Sequence, residues 1–148
     1  MERFFEDLSV GQKFSSATVT VTAEAIKAFA KQFDPQPFHL DEEAARGTFF
    51  GRLVASGWHT AAMTMRLLVD SDLVPAGGTI GLGTDELSFP RPVYPGDVLH
   101  IEGEVVAMRP SQSRPGIGVV KVFITTLNQD GQAVQRFSPI LMVRRRPE

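Results

Sequence analysis

The spacing of hydrophobic residues changes about halfway along the chain, at a Pro-Gly-rich break over residues 75–78. Before the break, apolar residues mostly recur with helical spacing, and after it they alternate as in strands. The first half predicts a strand over 13–21 and helices over 23–32, 42–46 and from about 56 to 69. The second half predicts strands over 79–89, 98–108, 117–127 and 132–144. The links between these strands are too short for parallel crossovers, so the strands should form an antiparallel meander.

The helix predicted from about Ser56 to Val69 is apolar around much of its circumference. A helix of this kind is typical of a buried position. An antiparallel sheet wrapped around one long central helix is an α+β arrangement known as the hot-dog fold. A length of 148 residues fits one such domain, so we expect a single hot-dog domain over residues 1–148.

Composition narrows the possible chemistry. The formal net charge is −2, which gives no basic field for nucleic acid. The chain has no cysteine, which excludes a disulfide framework, a thiolate zinc site and a cysteine nucleophile. No apolar run approaches the ~18–20 residues of a membrane span, and no signal peptide is evident, so we expect a cytoplasmic protein. Nothing in the sequence calls for a metal or a cofactor.

The segment Phe33-Asp34-Pro35-Gln36-Pro37-Phe38-His39 holds the strongest chemical signal. Each proline fixes its own φ and disfavours helix at the residue before it. A helix should therefore end at Phe33, and the next residues should run extended. An acid and a histidine held at a defined separation can activate water. The alternative is that Asp34 only opens a turn and bonds backbone amides.

Two further stretches accompany this segment: Val54-Ala55-Ser56-Gly57-Trp58, and Phe89-Pro90-Arg91-Pro92-Val93-Tyr94-Pro95-Gly96-Asp97. Together the three stretches resemble the MaoC-like dehydratases, which include the (R)-specific enoyl-CoA hydratases. The first resembles the family's hydratase motif, the second its small-residue turn into the central helix, and the third a pattern frequent in hot-dog acyl-thioester enzymes. Two positions depart from the family pattern: Phe33 stands where glycine is usual, and Gln36 stands where asparagine is usual.

The resemblance implies reversible, syn-type addition of water to a trans-2-enoyl-CoA, giving a 3-hydroxyacyl-CoA. Asp34 and His39 would be the catalytic residues. The thioester oxygen would be bound at the start of the central helix, by Ser56, Gly57 and Trp58, where backbone amides are free. Phe33, Gln36 and Phe50 would line the substrate site. The resemblance also implies an acyl-CoA thioester as partner, no cofactor, and a homodimer or dimer-based oligomer.

Two alternatives remain open from the sequence. One is a hot-dog acyl-CoA thioesterase, many of which place a carboxylate on the central helix. No acid occurs between Gly57 and Val69, which disfavours that reading. The other is a non-catalytic acyl-thioester binding protein, because fold alone does not determine function. The presence of both Asp34 and His39 disfavours a simple binder.

Overall fold

The computed structural model describes all residues, Met1–Glu148, and consists of a curved antiparallel sheet packed on a central helix. The α-helices are α1 (Ala23–Phe33), α2 (Pro37–Leu40), α3 (Glu42–Ala45) and α4 (Gly57–Val69). The strands are β1 (Lys13–Ser15), β2 (Val19–Thr20), β3 (Ile80–Ser88), β4 (Val98–Pro110), β5 (Ile117–Leu127) and β6 (Ala133–Arg144). A 3-10 turn over Phe5–Asp7 precedes them. The α+β hot-dog prediction is confirmed.

The order of strands in the sheet differs from the predicted meander. The order is β1-β4-β5-β6-β3, and β2 also pairs with β4. The strand β3 therefore does not pair with β4, the next strand along the chain, but with β6 at the far end of the sheet. The predicted first strand is also two short strands, Lys13–Ser15 and Val19–Thr20, both paired with β4.

The helix α4 rests on the sheet with only one side buried. Leu67 and Leu68 join the core, which also contains Ile101, Val122 and Ile124 from the central strands. The opposite side of α4 is exposed and apolar, formed by Trp58 (63% exposed), Met65 (44%) and Val69 (52%). The prediction of a largely buried helix is therefore wrong for this face. No helix in the structure combines the length and the hydrophobicity required to cross a bilayer.

The edge strand β3 is the least protected element of the sheet. All but one of its nine residues are exposed, including the apolar Ile80 and Leu82. Its register against β6 shifts twice, and Glu86 has a φ of 56° within the second irregular stretch. An exposed apolar edge strand presents unpaired backbone groups to another chain.

Packing of an aromatic ring over a strand glycine provides a test of the core. Gly103 on β4 is the cross-strand partner of Phe14, whose buried ring occupies the space a Cβ at Gly103 would need. We expect Gly103→Ala to lower the free energy of unfolding by about 1–3 kcal/mol, because the ring must move out of a packed position. Chemical denaturation measures this loss. Gly47→Ala is the control, since an added Cβ there contacts nothing; equal effects of the two substitutions would contradict this account.

Candidate active site

The end of α1 places the Asp34 carboxylate. The Asp34 backbone N–H donates to the carbonyl of Ala30 at 2.8 Å, and its φ and ψ of −153° and 66° lie outside the helical region. Pro35 explains this end, because its ring disfavours helix at the preceding residue. Gln36 is extended, and Pro37 then occupies the first turn of α2, a position that suits a residue without an N–H.

The second half of this segment is helical, which corrects the prediction that it runs extended. The helix α2 covers Pro37–Leu40 and carries His39. The turn brings the imidazole back towards the preceding loop, so that His39 Nε2 lies 3.3 Å from Asp34 Oδ2. Pro37 disfavours helix only at Gln36, and it favours helix at its own position.

A backbone carbonyl orients the His39 ring. His39 Nδ1 lies 2.7 Å from the carbonyl oxygen of Val54, which can only accept a hydrogen bond. The proton of the neutral ring is therefore on Nδ1, and the Nε2 lone pair faces Asp34. The same stretch is also held through its backbone, because the Val54 N–H donates to the Phe38 carbonyl at 2.9 Å.

The Asp34–His39 pair can hold water or exchange a proton. With His39 neutral, Nε2 and the Asp34 carboxylate are two acceptors directed at one place, which suits a water that donates to both. With His39 protonated, its ring and the Asp34 carboxylate form an ion pair, with Nε2 and Oδ2 3.3 Å apart. His39 is buried, whereas the Asp34 side chain is 20% exposed, so the pair is reached from the carboxylate side.

The environment of Asp34 favours its ionised form. Burial raises the pKa of its carboxyl group, but hydrogen bonds from Gln36 and Ser56 and the charge of protonated His39 more than offset this. The net result is a pKa below the ordinary aspartate value. The strongest geometric contact is with Gln36, whose Nε2 donates to Asp34 Oδ1 at 2.5 Å.

The start of α4 provides the second part of the site. Ser56, fully buried, is the N-cap residue of α4, and its Oγ accepts from the Trp58 N–H at 3.2 Å. Ser56 thus connects the helix start with Asp34, whose ionised form it also stabilises. The amide of Trp58 is therefore occupied, contrary to the prediction of a free donor there. The Gly57 N–H has no partner within the protein and is free to donate to a ligand.

Aromatic side chains surround the site unevenly. Phe33 and the Trp58 ring are mostly exposed, and Phe50 is half-buried against Phe38 with their ring centroids 5.2 Å apart. Sequence reasoning missed Phe89, whose ring lies edge-on to Trp58 and would be 3.1 Å from a Cβ at Gly57. Phe89 is the first residue of the Phe-Pro-Arg-Pro-Val stretch, and this motif was the sequence feature that could have identified it as a site residue.

His59 lies deeper in the site region and does not join the Asp34–His39 pair. Its ring stacks on Phe29 of α1, with centroids 4.9 Å apart and planes 10° from parallel. Burial lowers the pKa of His59, so its ring is held neutral, and its Nδ1 has no hydrogen-bond partner. The contact joins α1 to α4, which indicates a structural role for His59.

Comparison with known proteins agrees with this fold. The family model described as a MaoC-like domain matches residues 6–126. The crystal structure of the MaoC-like dehydratase from Rhodospirillum rubrum is 60% identical, with a TM-score of 0.93 over 99% of each chain. An uncharacterised Bacillus subtilis protein, YdeM, is 32% identical over 84% of this chain and 86% of its own length. The (R)-specific enoyl-CoA hydratase of Aeromonas caviae is 36% identical over 70% of this chain and 75% of its own length.

The fold and the matched residues define a hot-dog protein of the hydratase and dehydratase class. The chain belongs to the MaoC-like domain family.

Removal of the Gln36 amide tests the electrostatics of the site. We expect Gln36→Ala to raise the pKa of Asp34, because the variant loses a hydrogen bond to the ionised carboxylate. Carboxyl carbon NMR titration of Asp34 measures the change, with the exposed Gln32→Ala as the control. An unchanged pKa would mean that Ser56 and His39 alone set it.

The same shift predicts a change in stability with pH. The folded-state pKa of Asp34 lies below its unfolded value, so its ionised form stabilises the fold above the unfolded pKa. This contribution is lost as the pH falls through the folded-state pKa. In Gln36→Ala the folded-state pKa lies closer to the unfolded value, so the loss should be smaller and should be complete at a higher pH than in the wild type, as chemical denaturation at a series of pH values measures.

Proposed function

We propose that this protein adds water reversibly to the double bond of a trans-2-enoyl-CoA, giving a 3-hydroxyacyl-CoA. One observation carries the proposal: His39 Nε2 lies 3.3 Å from Asp34 Oδ2, while Nδ1 is held by the Val54 carbonyl at 2.7 Å. This arrangement supports binding and deprotonation of a water molecule. The name of the Aeromonas caviae relative, an (R)-specific enoyl-CoA hydratase, supports the same reaction class.

The bonds and protons of the proposed reaction balance within the site. Water bound by Asp34 and His39 gives one proton to this pair, and its oxygen forms a bond to C3 of the substrate. The electrons of the double bond move towards the thioester, whose oxygen becomes negative. The pair then returns the proton to C2, on the face from which water attacked. Because the two groups share a proton, the roles belong to the pair as a unit.

The start of α4 supplies the stabilisation that the thioester oxygen needs. The free N–H of Gly57 and the positive end of the helix dipole favour a negative charge there. One such donor typically lowers a barrier by about 3–4 kcal/mol. Glycine at this position also permits close approach to the backbone, although Phe89 limits the space on one side.

The exposed apolar surfaces favour a stable dimer, in which a second copy of the chain buries them. The outer face of α4 and the unpaired edge of β3 both expose large apolar side chains. The ring of Trp58 meets Phe89, the residue that follows β3, so these surfaces approach each other beside the candidate site. We propose a homodimer in which the β3 edges face each other and the partner excludes solvent from the substrate.

Isosteric replacement of the carboxylate tests the reaction. Asp34→Asn should reduce hydration of a short enoyl-CoA by about 10²–10⁴-fold, because an amide cannot accept the proton from water. Loss of the conjugated enoyl absorbance measures hydration, and a thiol reagent follows hydrolysis in parallel. Asp130→Asn, in an exposed turn, is the matched control. Free thiol released as fast as the enoyl absorbance disappears would establish a thioesterase instead.

Charge on the edge strand tests the dimer. Leu82 is 56% exposed on β3, and Leu82→Glu should shift the protein from dimer to monomer, because a buried carboxylate without a partner is costly. Analytical ultracentrifugation measures the mass. Val106→Glu is the control, since Val106 is exposed on β4, a strand paired on both sides. A wild-type protein that sediments as a monomer would exclude the proposed assembly.

A further inference from the structure

One buried polar side chain in the sheet has no partner in the structure. Gln135 lies on β6 with none of its surface exposed, and neither its Nε2 nor its Oε1 forms a hydrogen bond. Most buried polar groups are paired, because an unpaired donor or acceptor keeps its full cost of desolvation. Gln135 leaves one donor group and one acceptor without partners, which indicates a ligand that can satisfy both.

The register of the sheet directs this amide towards the central helix. Gln135 is the cross-strand partner of Thr126 on β5, and cross-strand partners point to the same face of a sheet. The Thr126 hydroxyl lies 2.7 Å from the hydroxyl of Thr64 on α4, so this face is the one that the helix covers. Arg136, the next residue after Gln135, points the other way and is exposed. The amide of Gln135 therefore lies beneath α4, beside two buried hydroxyl groups.

Helical spacing connects this polar cluster with the candidate active site. Gly57, Ala61 and Thr64 occur at positions i, i+4 and i+7 of α4 and share one face of the helix. Thr64 lies about 10 Å along the axis from Gly57, given the rise of a helix. Ala61 is the smallest side chain on this face and is half-buried, whereas the ring of Phe89 lies against Gly57. An acyl group bound at the Gly57 amide would extend past Ala61 towards Thr64, Thr126 and Gln135.

The side chains of the polar cluster indicate which chemical group the ligand carries. Thr64, Thr126 and Gln135 are uncharged, and a carboxylate buried beside them would lack a cation. A hydroxyl group can accept from Nε2 and donate to Oε1 at the same time. We propose that Gln135 is a specificity-determining residue that binds a hydroxyl group on the distal part of the acyl chain. This inference rests on the proposed function, because it takes the thioester to be bound at Gly57.

The test compares matched medium-length trans-2-enoyl-CoAs, one ending in a methyl group and the other in a hydroxyl group. The wild type should favour the hydroxyl-ended substrate in kcat/KM by about tenfold, since a site with hydrogen-bonding groups discriminates against an analogue that lacks the partner. Gln135→Met, similar in size but apolar, should remove the preference without lowering the melting temperature. Gln112→Met, in an exposed loop, should keep the preference.

A second variant guards against a failure to fold. Thr126→Val keeps the shape of the side chain and removes its hydroxyl, and it should also weaken the preference. Equal kcat/KM for the two substrates in the wild type would overturn the inference. So would a preference that survives both Gln135→Met and Thr126→Val, because the amide would then serve the fold through bound water.

A binding measurement separates this inference from the proposed reaction. Saturated acyl-CoAs, one methyl-ended and one hydroxyl-ended, cannot be hydrated, and calorimetry gives their Kd. In one outcome, the protein binds the hydroxyl-ended form more tightly, in a way that depends on Gln135, and yet fails to hydrate enoyl-CoA. That result would reject the proposed hydration reaction and support the proposed role of Gln135 in specificity. Equal binding together with active hydration would reject the specificity and keep the reaction.

Discussion

The hydrogen bond from His39 Nδ1 to the Val54 carbonyl is the constraint on which the candidate site depends. It sets the tautomer of the imidazole, and it joins α2 to the segment that leads into α4. Without it, Nε2 would have no defined direction, and the acceptor pair with Asp34 would not form. Because the ring is buried, the bond is shielded from competing water, which strengthens it.

The rest of the site follows from how α1 and α4 meet. Phe29 of α1 stacks on His59 of α4, which keeps the end of α1 close to the start of the central helix. Asp34 then lies where Ser56 can act on its carboxylate and where Gly57 offers a free amide. A carboxylate, an imidazole and a free backbone amide thus come from two stretches that are separate in the sequence, the Asp34–His39 segment and the start of α4. Their proximity is the reason that water addition next to a thioester is chemically plausible here.

Two features depart from the usual burial of apolar side chains and exposure of polar ones. Trp58 and Leu82 are exposed although apolar, and Gln135 is buried although polar and unpaired. Both kinds of exception lower the stability of an isolated chain, since the first leaves apolar area in water and the second leaves an amide unsatisfied. Such exceptions are expected where a protein binds another molecule. The first kind fits a second copy of the chain, and the second kind fits a substrate.

The sequence alone determined what depends on local chemistry. Pro35 ends α1, Ser56 caps α4, and the alternation of apolar residues predicts the strands of the sheet. All three depend on interactions between residues that are close together in the sequence. The pairing of β3 with β6, the Val54 carbonyl that orients His39, and the ring of Phe89 over Gly57 were decided only by tertiary structure. Those contacts join residues far apart along the chain. Every residue has a backbone carbonyl, so the sequence does not indicate which carbonyl will accept a hydrogen bond from His39. The sequence therefore predicted Asp34 and His39 as the candidate pair, and the fold decided how they face each other.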